Sequence, residues 1–260
     1  MSPPPAPTTP RRLPSLAARD VSLRYGAVQA LASVSIDVPS GTLLAIVGES
    51  GSGKTSLLRC FNRMVTPTAG AVLMDGQDVR GLDAVALRRR IGYVPQSGGL
   101  LPHWTVERNV ALVPRLTGDA DPLRSARAAL ERCGLPVSQF GARLPHELSG
   151  GQRQRAAIAR ALAASQDVLL LDESFGALDA ISRNELLDAF TTLRTEIGVT
   201  CVLVTHDLGE AARLADAIAV MRAGGIEQVA SIATLRDAPA TPYVEELLAR
   251  AQAAARMLVG

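Results

Sequence analysis

The sequence predicts an α/β fold with a largely parallel central sheet that is covered by helices. Four short apolar runs suit strands buried on both faces: "LLAIVG" (43–48), "VLLLD" (168–172), "CVLVT" (201–205) and "AIAVM" (217–221). Stretches of helical character separate these runs, which is typical of the crossovers of a parallel sheet. A glycine-rich segment, "GESGSGKTS" (48–56), joins the first run to a predicted helix, "TSLLRCFNRM".

The N-terminal part of the chain has a different pattern. Apolar and polar residues alternate along 18–38, "ARDVSLRYG…LASVSIDV". Because half-buried antiparallel strands show this alternation, we expect an antiparallel β subdomain there. The segment before it opens with "MSPPPAPTTPRRLP" and is rich in proline, so we expect residues 1–16 to be a disordered tail.

Two later segments predict helices. The section at about 97–165 lacks apolar strand-like runs and is rich in Arg, Ala and Leu, which predicts a helical subdomain. The chain closes with "TPYVEELLARAQAAARML", a predicted helix whose end we assign to residues 248–260. One face of this helix carries apolar residues: Val244, Leu247, Leu248 and Ala251.

Composition and charge exclude several classes of function. The chain has 260 residues, a net charge of +2, and 3% aromatic side chains. Nucleic-acid-binding proteins usually need a basic surface or aromatic platforms for bases, so we expect no nucleic-acid partner. The apolar runs are too short to cross a bilayer, and the N-terminus has no signal-peptide pattern. These features predict a soluble, cytosolic chain.

The three cysteines do not indicate a metal or redox site. Cys60, Cys133 and Cys201 are widely spaced and form no CxxC motif. We therefore expect reduced, partly buried thiols.

Lysine occurs once in the chain. Of 27 basic side chains, 26 are arginine, and the exception is Lys54 in the glycine-rich segment. The segment matches GxxxxGK[ST] and lies between a predicted strand and a predicted helix, as a phosphate-binding loop does. Backbone N–H groups and the helix N-terminus would bind phosphate oxygens, Lys54 would reach the terminal phosphates, and Thr55 would bind Mg²⁺. The predicted loop residues are Gly48, Glu49, Ser50, Gly51, Ser52, Gly53, Lys54, Thr55 and Ser56. A chance match in a glycine-rich turn is the alternative.

The apolar run at 168–172 ends in two acids, Asp172 and Glu173. Consecutive side chains of a strand point to opposite sides, so the two carboxylates can have different roles. With a phosphate loop upstream, we expect Asp172 to hold Mg²⁺ and Glu173 to deprotonate an attacking water. A solvated turn or a helix cap is the alternative for such a pair.

A second glycine turn begins the segment "LSGGQRQRAAIARAL" (148–162). A Ser-Gly-Gly turn that leads into a helix can bind an anion. It can also be an ordinary serine-capped helix start.

Taken together and in this order, these motifs resemble those of ATP-binding cassette (ABC) ATPases, and the resemblance extends over about 17–247. It implies an ATPase that uses ATP and Mg²⁺, with the P-loop NTPase fold of that family. It also implies a homodimer or a pair of ATPase subunits, in which the signature turn of one subunit covers the nucleotide on the loop of the other. The signature residues are Ser149, Gly150, Gly151 and Gln152.

The resemblance also assigns roles to four further residues. It implies that Tyr25 stacks on adenine and that Gln96 contacts Mg²⁺ and the attacking water. It implies that Asp179, in "GALD", connects the two halves of the dimer, and that His206 contacts the γ-phosphate. Without the resemblance, Tyr25 would be a core residue, Gln96 a turn residue and His206 a structural residue. The catalytic set is thus Glu173, His206, Gln96 and Lys54, and the metal ligands are Thr55, Gln96 and Asp172.

The chain departs from the family pattern at one position. The family usually has proline after the catalytic glutamate, whereas this chain has Ser174. Proline restricts the backbone of the preceding residue. We therefore expect a functional ATPase in which Glu173 is held less tightly and turnover is altered.

Two segments, 96–118 and 172–183, are similar to those of importers of quaternary-amine osmoprotectants such as glycine betaine, choline and proline betaine. Importers of taurine, nitrate or amino acids share parts of both segments and remain an alternative. The resemblance implies a peripheral location on the cytoplasmic face of the membrane, bound to integral permease subunits and indirectly to a substrate-binding protein. We expect residues 102–113 to contribute to the permease-docking surface.

Two other classes remain open at this point. A soluble cassette protein of DNA repair or translation usually has a long coiled-coil insertion or two cassettes in one chain, and neither is seen in the sequence. A P-loop kinase would not require "LSGGQ" or His206.

Overall fold

Ten strands form two sheets in the computed structural model, which describes residues 13–176 and 178–257. In chain order the strands are β1 (Leu16–Tyr25), β2 (Val28–Val38), β3 (Leu43–Val47), β4 (Ala69–Met74), β5 (Gln77–Asp78), β6 (Ile91–Val94), β7 (Val168–Asp172), β8 (Thr200–Val204), β9 (Ala217–Arg222) and β10 (Gly225–Ala230).

The described residues also form eleven α-helices and two short 3₁₀ turns, at Val79–Gly81 and Pro145–Glu147. The helices are α1 (Lys54–Phe61), α2 (Ala84–Arg90), α3 (Val106–Val110), α4 (Leu112–Thr117), α5 (Pro122–Arg132), α6 (Val137–Phe140), α7 (Gly150–Leu162), α8 (Ala180–Ile197), α9 (Leu208–Leu214), α10 (Ile232–Asp237) and α11 (Pro242–Met257). None of these helices has the length and apolarity needed to cross a membrane.

The central sheet has six strands in the order β10-β9-β3-β8-β7-β6. Strand β3 runs parallel to β8 and β9, and β7 runs parallel to β8 and β6. Only β10, on one edge, is antiparallel, to β9. Every residue of β3, β7 and β8 is buried, as strands covered on both faces require. The predicted α/β fold with a mostly parallel sheet is confirmed.

The second sheet is antiparallel and has the order β2-β1-β4-β5. Strands β1 and β2 pair from Leu16↔Val38 to Tyr25↔Val28, which confirms the antiparallel strands expected at 18–38. Strands β4, β5 and β6 were not predicted. They are short, between two and six residues, so the sequence contains too few alternations to show them.

Helices α3 to α7 lie in the section between β6 and β7. This is the section at 97–165 for which we expected helices, and within its described residues no strand occurs. Its limits as a separate subdomain stay a prediction, as does the domain limit at 247.

The central sheet separates two hydrophobic clusters. Alternate residues of β7 enter different clusters, with Leu169 and Leu171 in one and Val168 and Leu170 in the other. The first cluster contains residues of α5, α7, α8 and α11, and the second contains α1 and the antiparallel sheet. The predicted apolar face of α11 is confirmed, since its four residues Val244, Leu247, Leu248 and Ala251 belong to or pack against the first cluster.

The expected N-terminal tail must be shortened. Pro14 accepts a hydrogen bond of 2.7 Å from the Thr200 hydroxyl, and the Ser15 N–H donates to Asp75 at 3.1 Å. Leu16 begins β1 and is buried. Residues 13–16 are therefore part of the domain, because an apolar side chain and two backbone groups find partners there. Residues 1–12 and 258–260 lie outside the described residues.

The three cysteines are free and buried. Burial raises the pKa of each thiol to about 12, so all three remain protonated at neutral pH. The expectation of free thiols is confirmed, and the three side chains are fully rather than partly buried.

Candidate nucleotide-binding and hydrolysis site

The glycine-rich loop connects β3 to α1. Gly48, Gly51 and Gly53 have φ angles of +152°, +80° and +100°, which favour glycine. A Cβ at Gly48 would lie 2.1 Å from the Met221 carbonyl oxygen, and a Cβ at Gly53 would lie 2.4 Å from the Ala30 carbonyl oxygen. Only glycine fits at these two positions, because the loop passes between backbone atoms of the two sheets.

Lys54 lies at the centre of this loop. Its Nζ donates to the carbonyl oxygens of Gly48 at 2.8 Å and Glu49 at 2.7 Å, and to the Ser52 hydroxyl at 3.3 Å. Burial lowers the pKa of the ammonium group, while the carboxylates of Glu173, Asp172 and Glu49 oppose this shift. An ammonium group has three donors on a compact tip and fits this cradle, whereas a planar guanidinium does not.

Asp172 ends β7 beside the first turn of α1. The Thr55 hydroxyl donates to its Oδ1 at 2.8 Å, and the Tyr93 hydroxyl donates to its Oδ2 at 3.1 Å. Arg59 lies 3.8 Å from the same Oδ2. The carboxylate is almost fully buried, so these partners compensate for its lost hydration.

The Thr55–Asp172 pair fits a magnesium site. Octahedral Mg²⁺ binds oxygen at 2.0–2.1 Å, so two neighbouring ligands are about 2.9 Å apart. The observed separation of 2.8 Å between Thr55 Oγ1 and Asp172 Oδ1 matches this spacing. Among the described residues, no group of three His, Cys, Asp or Glu side chains could hold a metal by itself. Mg²⁺ usually takes its remaining ligands from phosphate and water.

Glu173 follows Asp172 and is the point at which three predicted residues meet. Its Oε2 accepts a 2.8 Å hydrogen bond from Gln96 Nε2 and lies 3.6 Å from His206 Nδ1. The backbone of Glu173 has φ +47° and its N–H donates to the Val204 carbonyl at 2.9 Å. This unusual backbone conformation turns the carboxylate away from β7, towards the ends of the strands that carry Gln96 and His206.

Ser174 is buried, and its hydroxyl donates to the Val94 carbonyl at 3.4 Å. Val94 ends β6, two residues before Gln96. The serine thus forms a long hydrogen bond to the strand that positions Gln96, a bond that proline cannot form. A looser Glu173 with altered turnover stays a prediction.

Two partners of Asp172, Arg59 and Tyr93, were not predicted. Arg59 lies four residues after Thr55 in α1, and Tyr93 pairs with Leu170 in the β6–β7 register. The helical spacing from Thr55 was visible in the sequence. The pairing of β6 with β7 was not, because it depends on tertiary structure.

Tyr25 ends β1 and is half exposed, at 50% of its surface. The interpretation of Tyr25 as a core residue is therefore wrong. An exposed ring at this position is available to stack on a planar ligand, which remains a prediction.

The signature turn forms a capped helix start. Ser149 Oγ accepts from the Gln152 N–H at 3.2 Å, and Gln152 Oε1 accepts from the Ser149 N–H at 3.0 Å. This reciprocal pair is a capping box, so the local alternative of a serine-capped helix also holds. A cavity of about 310 Å³ opens beside the turn, lined by Ser149, Gly151, Gln152, Arg155, Ser182 and Glu185, among others.

Asp179 caps α8 and is exposed. Its carboxylate accepts from the Ser182 N–H at 2.9 Å, a hydrogen bond that lowers its pKa. A Cβ on Gly151 would lie 3.6 Å from Ser182 and 3.8 Å from Leu178. The signature turn and the "GALD" loop are therefore neighbours.

The predicted site residues thus form two separate sets. Lys54, Thr55, Gln96, Asp172, Glu173 and His206 are connected by hydrogen bonds or charge contacts. Within residues 13–176 and 178–257, no hydrogen bond or ion pair connects the 149–152 turn to the 48–56 loop.

Comparison with known proteins agrees with this geometry. A family model described as "ABC transporter" matches residues 31–176. The chain belongs to the ABC transporter family. The resemblance inferred from the motifs is thereby confirmed, and a chance match or a P-loop kinase is excluded.

Several curated members of the ABC transporter family are similar along most of this chain. The glycine betaine/carnitine/choline transport ATP-binding protein OpuCA of Bacillus subtilis (strain 168) is 41% identical over 229 residues, which cover 86% of this chain and 60% of OpuCA. The glycine betaine uptake system ATP-binding protein YehX of Escherichia coli (strain K12) is 40% identical over 243 residues, which cover 92% of this chain and 78% of YehX. The sulfate/thiosulfate import ATP-binding protein CysA of Caulobacter vibrioides (strain ATCC 19089 / CIP 103742 / CB 15) is 44% identical over 234 residues, which cover 88% of this chain and 68% of CysA. The chain therefore spans about three-fifths of the length of OpuCA.

A solved ABC transporter structure has the same fold. The bacterial ABC transporter cassette MJ0796, solved as a dimer, superposes with a TM-score of 0.76 at 30% identity and covers 84% of this chain and 98% of its own. A second structure of that cassette is a post-hydrolysis state bound to ADP and Pi, with a TM-score of 0.75. The ABC ATPase fold class is confirmed.

Proposed function

We propose that this chain is the ATP-hydrolysing subunit of an ABC importer whose cargo is an osmoprotectant such as glycine betaine, choline or proline. The observation that carries the hydrolytic part of the proposal is the meeting of Gln96 and His206 at one carboxylate oxygen of Glu173. The cargo is supported by the names of OpuCA and YehX. Glu173 directly follows Asp172, which forms a hydrogen bond with Thr55. The groups that we propose for phosphate binding, metal binding and proton transfer thus lie at one edge of the sheet.

ATP would bind with its phosphates on the 48–56 loop and its adenine on Tyr25. The loop N–H groups and the N-terminus of α1 would bind the phosphate oxygens, and the Lys54 ammonium would bind between the terminal phosphates. Thr55, Asp172 and the amide oxygen of Gln96 would hold Mg²⁺. The ion supplies charge neutralisation at the phosphates.

Glu173 would act as the base in hydrolysis. A water oxygen attacks the γ-phosphorus, the bond from that phosphorus to the β–γ bridging oxygen breaks, and Glu173 accepts the water proton. Gln96 would orient the carboxylate and the water, and His206 would donate to the γ-phosphate. The 22% exposure of the Glu173 side chain is compatible with access by water.

A second chain would complete the site. The signature residues Ser149, Gly150, Gly151 and Gln152 lie apart from the loop of their own chain, and Asp179 lies near them. We propose that they face the nucleotide of a partner, in a homodimer or a pair of ATPase subunits. The dimeric MJ0796 cassette supports this arrangement.

We propose further that the chain binds integral permease subunits on the cytoplasmic face of the membrane and serves a substrate-binding protein indirectly. The names of OpuCA and YehX, both ATP-binding proteins of transport or uptake systems, support this. Residues 102–113 would contribute to docking. Crosslinking that places this segment away from the permease would refute the docking proposal, and co-purification with a membrane protein separates transport from a soluble cassette function.

A related importer remains the second candidate, because CysA, named for sulfate and thiosulfate, is 44% identical. Uptake of labelled glycine betaine, choline and sulfate by cells that express this chain with its permease distinguishes the two cargo classes. Osmoprotectant uptake supports the proposal, and uptake of sulfate alone overturns its cargo.

The hydrolysis proposal is tested by Glu173→Gln in the purified chain with ATP and Mg²⁺. We expect turnover to fall by at least about a hundredfold while ATP binding persists, because the amide cannot accept the proton. Glu196→Gln, which changes an exposed carboxylate in α8, is the control and should retain wild-type turnover. Equal turnover of E173Q and wild type would exclude Glu173 as the base.

A further inference from the structure

Arg183 connects two loops of the candidate site. It lies in the first turn of α8, where its Nη2 donates to the Leu178 carbonyl at 3.2 Å. Its Nη1 donates to Asp207 Oδ2 at 3.3 Å. One guanidinium therefore binds both the loop that carries Asp179 and the residue that follows His206.

The segment around His206 is held on both sides. Asp207 Oδ1 accepts from the Gly209 N–H at 2.7 Å and so caps α9. Thr205 donates its hydroxyl to Glu210 Oε2 at 2.6 Å and accepts from the Asp207 N–H at 3.0 Å. The position of His206 is consequently set by Asp207 and Glu210, the two acids that Arg183 faces.

Arg183 and Glu210 contain two buried polar atoms that face each other without a hydrogen bond. Arg183 Nε and Glu210 Oε1 are 3.8 Å apart, and both lack a hydrogen-bond partner within the described part of the chain. A buried polar atom without a partner is costly. A shift of about 1 Å would bring this pair to the distance of a charge-assisted hydrogen bond.

The "GALD" loop also lies against the imidazole of His206. A Cβ on Gly176 would be 3.4 Å from His206 Cε1. A movement of this loop therefore changes both the surroundings of the imidazole and the carbonyl that holds Arg183.

We propose that Arg183 is a positioning residue that transmits displacement of the Leu178–Asp179 loop to His206, through Asp207 and the 3.8 Å ion pair with Glu210. A shift of the Leu178 carbonyl moves the guanidinium, which closes or opens the Nε–Oε1 gap and moves the His206 segment. The proposal rests on the proposed role of His206 in ATP hydrolysis.

The test compares Arg183→Lys with Arg194→Lys in the full chain. Arg194 is a matched control, because it lies in the same helix and also binds one carbonyl, Leu214 at 2.9 Å, and one carboxylate, Asp216 at 2.5 Å. Lysine keeps the charge but cannot hold two partners in a fixed fork. A purely structural role predicts similar effects of the two changes.

Two readouts are needed, ATPase kinetics and the NMR signal of the His206 imidazole. The chain has three histidines, so His206→Gln assigns that signal. We expect R183K to shift the His206 signal and lower kcat about tenfold with KM changed less than about twofold, and R194K to change neither. An unchanged His206 signal in R183K overturns the proposal, whether or not kcat falls.

The NMR readout also separates this inference from the proposed function. If the wild-type chain bound ATP but did not hydrolyse it, the proposed function would fail. The shift of the His206 signal would still test whether Arg183 positions His206. If R183K and R194K shift the signal equally, Arg183 has no special role and the inference fails alone. A wild-type His206 signal in Arg183→Gln, whose side chain lacks the charge, would also overturn the inference.

Discussion

The side-chain amide of Gln96 donates a 2.8 Å hydrogen bond to Oε2 of Glu173. The two residues follow adjacent parallel strands, β6 and β7, whose carboxyl ends meet at one edge of the sheet. An amide at this position orients the carboxylate without neutralising it.

Replacing Gln96 with alanine should therefore lower kcat about tenfold and leave ATP affinity within about threefold of wild type, since the change removes the hydrogen bond to Glu173 and a proposed metal ligand but no loop contact. Single-turnover hydrolysis and ATP titration measure the two effects separately. Gln139→Ala, at an exposed glutamine in α6, is the control. Unchanged single-turnover hydrolysis in Q96A would contradict the assignment.

Lys54→Ala should weaken ATP binding about ten- to a hundredfold, because charge-assisted hydrogen bonds to the phosphates are lost. Lys54→Arg should restore little of this affinity, since the guanidinium does not fit among the Gly48, Glu49 and Ser52 acceptors. Isothermal titration with ATP measures both variants, and a circular-dichroism spectrum checks that each is folded. Wild-type affinity in K54R would show that the cradle does not select an ammonium group.

Tyr243→Phe should weaken ATP binding by a smaller factor than Lys54→Ala does. Tyr243 is a buried residue of α11 whose hydroxyl accepts a 3.3 Å hydrogen bond from the Glu49 N–H in the phosphate loop. Losing one neutral hydrogen bond costs about 0.5–1.5 kcal/mol, which is about two- to tenfold in affinity.

The comparison for this variant is Arg250→Ala. Arg250 also contacts Glu49, at 3.5 Å, but both side chains are largely exposed, so the pair should contribute little. A larger loss of affinity in R250A than in Y243F would reverse this ranking of the two α11 contacts.

Glu210 should give the fold a measurable pH dependence. Burial raises the pKa of its carboxyl above the ordinary value. Its contribution to stability is then complete below the unfolded-state pKa of about 4.3 and is lost as the pH rises through the raised folded-state pKa. Glutamine does not titrate but can still accept the Thr205 hydrogen bond. The unfolding free energy of E210Q minus that of wild type should therefore increase as the pH rises above about 4.3.

Urea unfolding of both proteins at several pH values between about 4 and 8 measures this difference. Glu196→Gln is the control, since Glu196 is exposed. A difference that stays flat across this range would show that Glu210 keeps an ordinary pKa in the folded protein.

The sequence was sufficient for those parts of the site that are local in the chain. The loop at 48–56, the acids 172 and 173, and the capped turn at 149 each depend on neighbouring residues, and the structure has them at the ends of the expected strands and helices. The strand β6 was missed because four residues show no clear period.

Contacts between distant segments could not be predicted. Tyr93 and Arg59 reach Asp172, and Arg183 reaches Asp207 and Glu210, only after the sheet order and the packing of α8 against α9 are fixed. Apart from the helical spacing of Arg59 from Thr55, nothing in the local pattern of these residues distinguishes them from ordinary surface or strand positions. The sequence thus predicted candidate groups for the phosphate site but not the groups that hold them in place.

In the register of β7 against β8, Asp172 and Val204 form the last residue pair, and Glu173 lies just beyond it. Adding or deleting a single amino acid within β7 would exchange the directions of its side chains, because neighbours in a strand alternate. Asp172 would then point in the direction that Glu173 now takes, and the leucines of β7 would exchange between the two hydrophobic clusters. A length change in the mostly exposed connection at 118–121 would leave the directions of the strand side chains unchanged. We therefore expect sequence-length variation among working variants in connections of that kind.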